Sequence, residues 1–333
     1  MPADDGFTVR AYREGDEQAI LDLFARSFPH APRTLEQFRW KYRQNPFGNE
    51  HISLTFDPHG ALVGHYAGYV VPFRRDGRDI LAHQIGDTMT AVGVRHIGRG
   101  PTGILGRTAL HFYDAFCEGK IAFNYGFNVA NIQKFSLRFL RSDRVVPVSY
   151  RIRDLRADPL APISRWQRLV RGFSLELVRE ATPEWDALFD RVAGAYGFLV
   201  RRDADYVRWR YLECPGDPYL VVAIRKWRRL VGWVALRIRE RSLLWGDALF
   251  DPRFEDAPEV LLRHVVPHHD VDRIEGWFPP RPAWFDAILR DLRFESRPEP
   301  QDLSVMCVPF VFADASASLG RELYYTWSDS DLF

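Results

Sequence analysis

One motif, met twice, constrains this chain more than any other feature. Phe38-Arg39-Trp40-Lys41-Tyr42 followed by Pro46 recurs as Val207-Arg208-Trp209-Arg210-Tyr211 followed by Pro215, at one constant offset. Each copy precedes a Leu-Val-Gly run, Leu62 to Gly64 and Leu230 to Gly232, and then a Gly-Asp pair, Gly86-Asp87 and Gly246-Asp247. Self-similarity at this spacing means one architecture built twice. Length agrees, because 333 residues exceed one ordinary core and suit two domains of about 100 to 200 residues each.

Hydrophobic periodicity gives the order within a copy. Phe7 to Tyr12 alternates as a strand, and Ile20, Leu23, Phe24 and Phe28 fall on one face of a helix. Thr34 and Gln37 form a capping box that opens a second helix lined by Leu35, Phe38 and Tyr42 and stopped at Asn45-Pro46. Strands follow at His51 to Phe56, Ala61 to Phe73 and Asp79 to Val94, separated by turns at Asp57 to Gly60 and Arg75 to Gly77. After a glycine-rich loop come a helix from Pro101 to Cys117, a strand Ile121 to Phe127, a helix Asn131 to Arg141 and a strand Val145 to Ile152. The order βααβββαβαβ then begins again. Asp158-Pro159 and Ala161-Pro162 break any regular element near Leu155 to Arg165, which places the domain boundary there.

Composition narrows the function classes. Lys plus Arg total 45 against 44 Asp plus Glu, a net charge of +1, so no long-range field attracts a polyanion and nucleic acid is not expected as a partner. Cys117, Cys214 and Cys307 are odd in number, widely spaced and free of metal-ligand spacing, as expected of a cytoplasmic chain. The segment Met1 to Gly6 has no apolar leader, and no stretch approaches about 20 uninterrupted apolar residues, so no membrane association is expected.

The chemistry concentrates in one loop. Arg95-His96-Ile97-Gly98-Arg99-Gly100 has the pattern RxxGxG between a predicted strand and a predicted helix. Glycines let the backbone turn sharply and approach a ligand, and the N–H groups opening the helix carry partial positive charge, so the segment is suited to a pyrophosphate. A dinucleotide fold would need GxGxxG after a first strand and an acid about 20 residues on; neither is found.

The element order, the RxxGxG loop after the fourth strand, Gly86-Asp87-Thr88-Met89 ahead of it and Asn131 heading the next helix together resemble the GNAT acetyltransferases, specifically from Gly86 to Leu140 and at fold level over the whole chain. The resemblance implies an α+β chain of two tandem GNAT-like domains, each a twisted mixed β-sheet flanked by helices: residues 1–155 catalytic, 166–312 degenerate, and 313–333 a C-terminal tail. It implies acetyl-CoA as acyl donor, held by Met89, Thr90, Ala91, Arg95, His96, Ile97, Gly98, Arg99, Gly100 and Asn131, with no metal. It also implies direct attack of a neutral amine on the thioester, the oxyanion being held by a backbone N–H near Thr90 or Ala91, where a bulge splays the fourth strand. Asp87 is the candidate base.

The family often places a Tyr on the helix after the fifth strand to protonate the leaving thiolate. Here Asn131 to Leu140 holds none, and Arg141-Ser142-Asp143 replaces the usual Gly-Phe; Tyr125 and Tyr113 are substitutes by location. In the second half Asp251 to Asp256 has acids and no glycine where the loop should lie, so one acyl-CoA site per chain is expected. Tyr324 to Phe333, aromatic and acidic, has two placements: over the first domain's cleft, as C-terminal carboxylates lie in some tandem acetyltransferases, or closing the second sheet.

Other runs read as structure. The repeated Trp40, Tyr42, Trp209 and Tyr211 suit packing, since both halves keep them. Pro267 breaks the spacing that would join His264 and His268 with His269, Asp270 and Asp272 at a metal. Arg225, Lys226, Arg228 and Arg229 at a hairpin turn, and the alternating Arg237, Arg239 and Arg241, suit solvated strand faces. The resulting expectation is an N-acetyltransferase acting on a small primary amine, an amino sugar or amino-acid derivative. The alternatives are a cell-wall-type aminoacyltransferase and a non-catalytic acyl-CoA-binding protein. A homodimer is allowed but not specified.

Overall fold

In the computed structural model, which describes residues 5–216 and 218–333, the two copies of the motif make the same contact. Tyr42 donates its hydroxyl hydrogen to Asp87 at 2.8 Å, and Tyr211 donates to Asp247 at 2.5 Å. The repeated Trp-x-Tyr and Gly-Asp are therefore the two ends of one buried hydrogen bond, which ties a helix to a strand in each copy. Residues 1–4, part of the N-terminal segment considered above, lie outside the described residues.

The first half runs β1 (Thr8–Ala11), α1 (Glu17–Ser27), α2 (Leu35–Tyr42), β2 (Ile52–Phe56), β3 (Leu62–Arg75), β4 (Arg78–Thr90), α3 (Ile104–Phe112), β5 (Phe123–Asn128), α4 (Ala130–Phe139), β6 (Asp143–Pro147) and β7 (Ser149–Asp154). The second runs α5 (Arg165–Val170), β8 (Phe173–Leu177), α6 (Pro183–Val192), β9 (Leu199–Val200), α7 (Ala204–Val207), β10 (Leu220–Lys226), β11 (Arg229–Arg239), β12 (Ser242–Phe250), α8 (Ala257–Val265), β13 (Arg273–Trp277), α9 (Ala283–Asp291), β14 (Glu295–Pro298), β15 (Ser304–Pro309) and α10 (Ala315–Glu322).

The capping box at α2 forms as the sequence predicts, Thr34 accepting from the Gln37 backbone and Gln37 from Thr34. Ile20, Leu23 and Phe24 bury against Phe38, Tyr42, Ile52 and Leu54. Phe28 lies past the end of α1 and is 41% exposed.

The chain divides into two compact units, and the division departs from the expected boundaries. Unit one comprises residues 1–72, 80–147 and 303–320; unit two comprises 73–79, 148–302 and 321–333. The single strand predicted at Val145 to Ile152 is two strands, β6 in the first sheet and β7 in the second.

The first sheet has the order β1-β2-β3-β4-β5-β15-β6, so a strand from the end of the sequence sits between β5 and β6. Its Val308 packs with Phe112, Tyr113 and Cys117 in the core. The second sheet, β14-β7-β13-β12-β11-β10-β8, takes β7 from the first half. Apolar runs bounded by turns mark the strands, β3, β12 and β15 being buried almost throughout, but partner choice is long-range, which is why the sequence pattern found the strands and not the exchange.

Unit two buries Trp209, Trp233, Trp245 and Trp277 almost completely. Its parallel pair β12 and β13 is joined only from Ser242–Arg273 to Trp245–Gly276. Beyond that point lies the segment after α10. A Cβ on Gly246 would fall 1.9 Å from the Phe333 ring, and Trp327 stacks on Trp277 with centroids 5.2 Å apart. Arg202, Asp247, Thr326 and Asp329 close a buried network beneath it. Of the two placements considered for the tail, the structure takes the second: residues 324–333 belong to unit two.

Candidate active site

Unit one repeats the splayed pair. β4 and β5 run parallel and pair from Ala82–Phe123 to Gln84–Tyr125, after which β4 continues to Thr90 beside β3 but no longer paired to β5. The glycine-rich loop follows, ordered by short 3-10 turns at Val92–Val94 and Gly100–Thr102 before α3 begins at Ile104.

Gly98 and Gly100 have φ of +67° and +55°, a region that L side chains rarely enter. Space forbids a side chain as well. A Cβ on Gly98 would meet the Thr102 carbonyl oxygen at 2.4 Å, and one on Gly100 the Phe139 ring at 2.6 Å. Gly106, on α3, is equally constrained, since its Cβ would lie 2.1 Å from the Gly100 carbonyl oxygen. The loop is thus pressed against the first turn of α3 on one side and against α4 on the other.

That pressing decides where the N–H groups point. Arg95 and Ile97 donate back to Val92 and Val94, and Arg99 donates to the Thr102 hydroxyl. The N–H groups of Gly98, Gly100, Ile104, Leu105 and Gly106 find no acceptor among the described residues, as the geometry of a helix start requires. All five residues line a cavity of about 650 Å³ together with Thr88, Met89, Thr90, Arg95, Arg99, Gly103, Ile132, Phe135 and Phe139. Arg95 donates to the Thr90 carbonyl at 3.1 Å, and neither Arg95 nor Arg99 has a carboxylate partner among the described residues. Unpartnered helix-start amides and two arginines around one cavity make a site for an anion.

Of the residues assigned from the sequence, Met89, Thr90, Arg95, Gly98, Arg99 and Gly100 line this cavity. Ala91, His96, Ile97 and Asn131 do not. Ala91 spends its N–H on the Val63 carbonyl at 2.8 Å, which removes it as an oxyanion donor. Thr90 directs its N–H toward the opposite edge, by the alternation of a strand. His96 and Asn131 are exposed, and Ile132, next to Asn131, is the residue that reaches the cavity.

Two catalytic assignments are corrected. Asp87 does not line the cavity. It is buried, with Lys41 Nζ at 2.7 Å, Arg33 at 3.1 Å and the Tyr42 hydroxyl on its carboxylate, and its own carbonyl accepts from His65 Nδ1. Burial by itself raises this carboxyl, but the charges of Arg33 and Lys41 and the hydrogen bonds from Lys41 and Tyr42 outweigh it and hold the group well below the usual carboxylate range. Such a carboxylate is a weak base. Its counterpart Asp247 accepts from Tyr211 in the same way, in a unit with no glycine loop.

Tyr125 is buried between Phe123 and Phe127 on β5 and is absent from the cavity wall. Tyr113 is likewise core, near the Tyr66 hydroxyl, and burial raises its phenol. The strand irregularity expected near Thr90 falls at Asp87, whose φ is +50°; in unit two the register skips at the matching place, Gly246.

The sequence reading missed Gly103, Gly106, Ile132, Phe135 and Phe139. The signal for the phenylalanines was present, a helix with aromatic residues four apart next to a glycine loop, but a helix face points to a cavity only after its neighbours are placed.

Comparison with known proteins bears on the first half of the chain. A model of the GNAT acetyltransferase domain matches residues 8–136. Residues 8–136 thus match a GNAT acetyltransferase domain. No curated protein matches the chain in sequence. Among solved structures, a probable N-acyltransferase from Enterococcus faecalis V583 superposes with a TM-score of 0.68 at 14% identity, covering 92% of this chain and 73% of that one. A GCN5-related N-acetyltransferase from Anabaena variabilis gives 0.67 at 14%, covering 90% and 72%. Saccharomyces cerevisiae N-myristoyltransferase with bound myristoyl-CoA gives 0.57 at 9%, covering 92% and 84%. These likenesses extend the fold over both units, two mixed sheets flanked by helices, and acyl transfer is the chemistry of the matched domain. No helix among the described residues is long and apolar enough to cross a membrane.

Proposed function

We propose that this GNAT chain transfers an acetyl group from acetyl-CoA to the primary amine of a small molecule, an amino sugar or an amino-acid derivative. The supporting observation is that Gly98, Gly100 and Ile104 to Gly106, whose N–H groups find no acceptor among the described residues, line the cavity beside Arg95 and Arg99. Those groups would hold the diphosphate, and Ile132, Phe135 and Phe139 supply apolar surface for the rest of the carrier. Bound acetyl-CoA supplies an activated acyl group that an amine can attack directly. The strand edge at Thr90 carries the N–H suited to the developing oxyanion. Among the described residues no carboxylate, imidazole or phenol lines the cavity, so proton transfer falls to water or to groups beyond it.

Calorimetry with acetyl-CoA on wild type and on Gly98→Glu or Gly100→Glu tests the reading. Binding lost in both variants supports it, and unchanged affinity removes it. The lack of an acid or base on the cavity wall favours a second reading, a non-catalytic acyl-CoA-binding protein; turnover with a panel of amines separates the two. Because N-myristoyltransferase shares the fold, the same titration with acyl-CoAs of increasing chain length tests the preference for acetyl.

A further inference from the structure

Unit two carries a surface that the acyl-transfer reading does not use. Helix α5 spans only six residues, Arg165–Val170, and none of them is buried. A helix this short has little stability of its own, and it is held by a capping box in which Ser164 and Gln167 bond each other's backbone. The side chains it displays are apolar: Trp166 is 77% exposed, Val170 77% and Leu169 48%.

Beside it stands the β10–β11 turn. Trp227, 72% exposed, packs its ring where a Cβ on Gly172 would lie 2.5 Å away, and its N–H donates to the Gly172 carbonyl. Lys226 reaches the Arg171 carbonyl and stands over the Phe173 ring. Trp166, Leu169 and Val170 fall on one side of α5 by their i, i+3, i+4 spacing, and Trp227 lies against Gly172, two residues past its end, where a surface ordinarily scatters such side chains singly.

The surrounding charge is in cationic excess. Arg165, Arg168, Lys226, Arg228 and Arg229 have no carboxylate partner among the described residues, and Arg171 meets only Glu259, at 3.7 Å. Arg225, by contrast, is neutralised by Glu176 and Glu184. The chain as a whole is balanced at +1, so this cationic excess is local.

We propose that α5 and the Lys226–Arg229 turn form a docking surface for an anionic lipid bilayer. Tryptophan and aliphatic side chains enter the interface while the guanidinium and ammonium groups meet lipid phosphates. Nothing in the sequence reading anticipated a membrane partner, because a balanced net charge hides a local excess. The proposal stands independently of the acyl-transfer reading.

The test is flotation of the full chain with phosphatidylcholine vesicles, with and without phosphatidylglycerol, at low and high salt, alongside quenching of tryptophan fluorescence by brominated lipid. Binding is expected only to the anionic vesicles at low salt. It should fall at least tenfold in Trp166→Ser with Val170→Ser, and roughly fivefold for each of Arg165→Gln and Arg228→Gln. Unchanged circular dichroism would show that these exposed substitutions leave the fold intact. The proposal is overturned by no flotation with anionic vesicles, by equal flotation with neutral ones, or by variants that bind like wild type. It is also overturned if sedimentation velocity shows that the same face instead joins two copies of the chain.

Discussion

Asp87→Asn distinguishes a buried structural carboxylate from a catalytic base, because the two roles predict opposite pairs of results. The side chain is 7% exposed and faces Lys41, 4% exposed, and Arg33, 22% exposed. Removing its charge leaves two cations in a desolvated site, and breaking a buried pair in this way costs about 3 to 5 kcal/mol. The lower end, about 3 kcal/mol, applies here, since Arg33 has some access to water and asparagine still accepts from Tyr42. For a unit of this size that is a fall of about 6 to 12 °C in the melting temperature. Acetyl-CoA affinity at a permissive temperature should change less than threefold, because Asp87 does not line the cavity. A general base would instead lose about 10² to 10⁴ in kcat with stability nearly intact. Thermal melts, calorimetry and turnover on one preparation decide between them. An Asp87→Asn protein that melts like wild type and has lost two orders of magnitude in kcat would refute the structural assignment.

Gly106→Ala should lower acyl-CoA affinity at least tenfold although alanine favours a helix by up to about 1 kcal/mol, because its Cβ would lie 2.1 Å from the Gly100 carbonyl oxygen. Gly93→Ala, where a Cβ meets nothing within 4 Å and which does not line the cavity, is the calorimetric control and should bind normally. Burial pushes His83 down to about 3, with a contribution from His51, and His65 down to about 4. The unfolded chain therefore takes up these protons first as pH drops below 6.5, so the stability they contribute is complete above that value and lost on acidification. Each residue contributes about 1.4 kcal/mol per pH unit, so urea titrations should show a loss of roughly 4 kcal/mol by about pH 5, halved in His83→Gln if that variant folds. Ending the chain at Asp302 removes β15 from between β5 and β6; limited proteolysis should then cut unit one rapidly, and a protease-resistant unit one would contradict the strand exchange.

The glycine loop was legible because its letters carry their own mechanics: positive φ at Gly98 and Gly100 needs glycine whatever surrounds it. Asp87 misled because a carboxylate on the right strand has the composition of a base, whereas its role depends on Lys41 and Arg33, distant in sequence. Ala91 misled for a related reason, since the fate of one N–H is set by the register of the neighbouring strand.

From the sequence alone came the two-sheet fold, the element order of the first half, the capping box and the glycine loop between β4 and α3, all of which depend on interactions within a few residues or on a repeat visible by comparison. Tertiary structure decided which strand completes which sheet, that residues 324–333 fill the second unit's splayed strands, and that Phe135 and Phe139 face the cavity while Tyr125 does not. Local sterics and periodicity are encoded residue by residue, but desolvation, charge pairing and strand partnership belong to groups that meet only once the chain has folded.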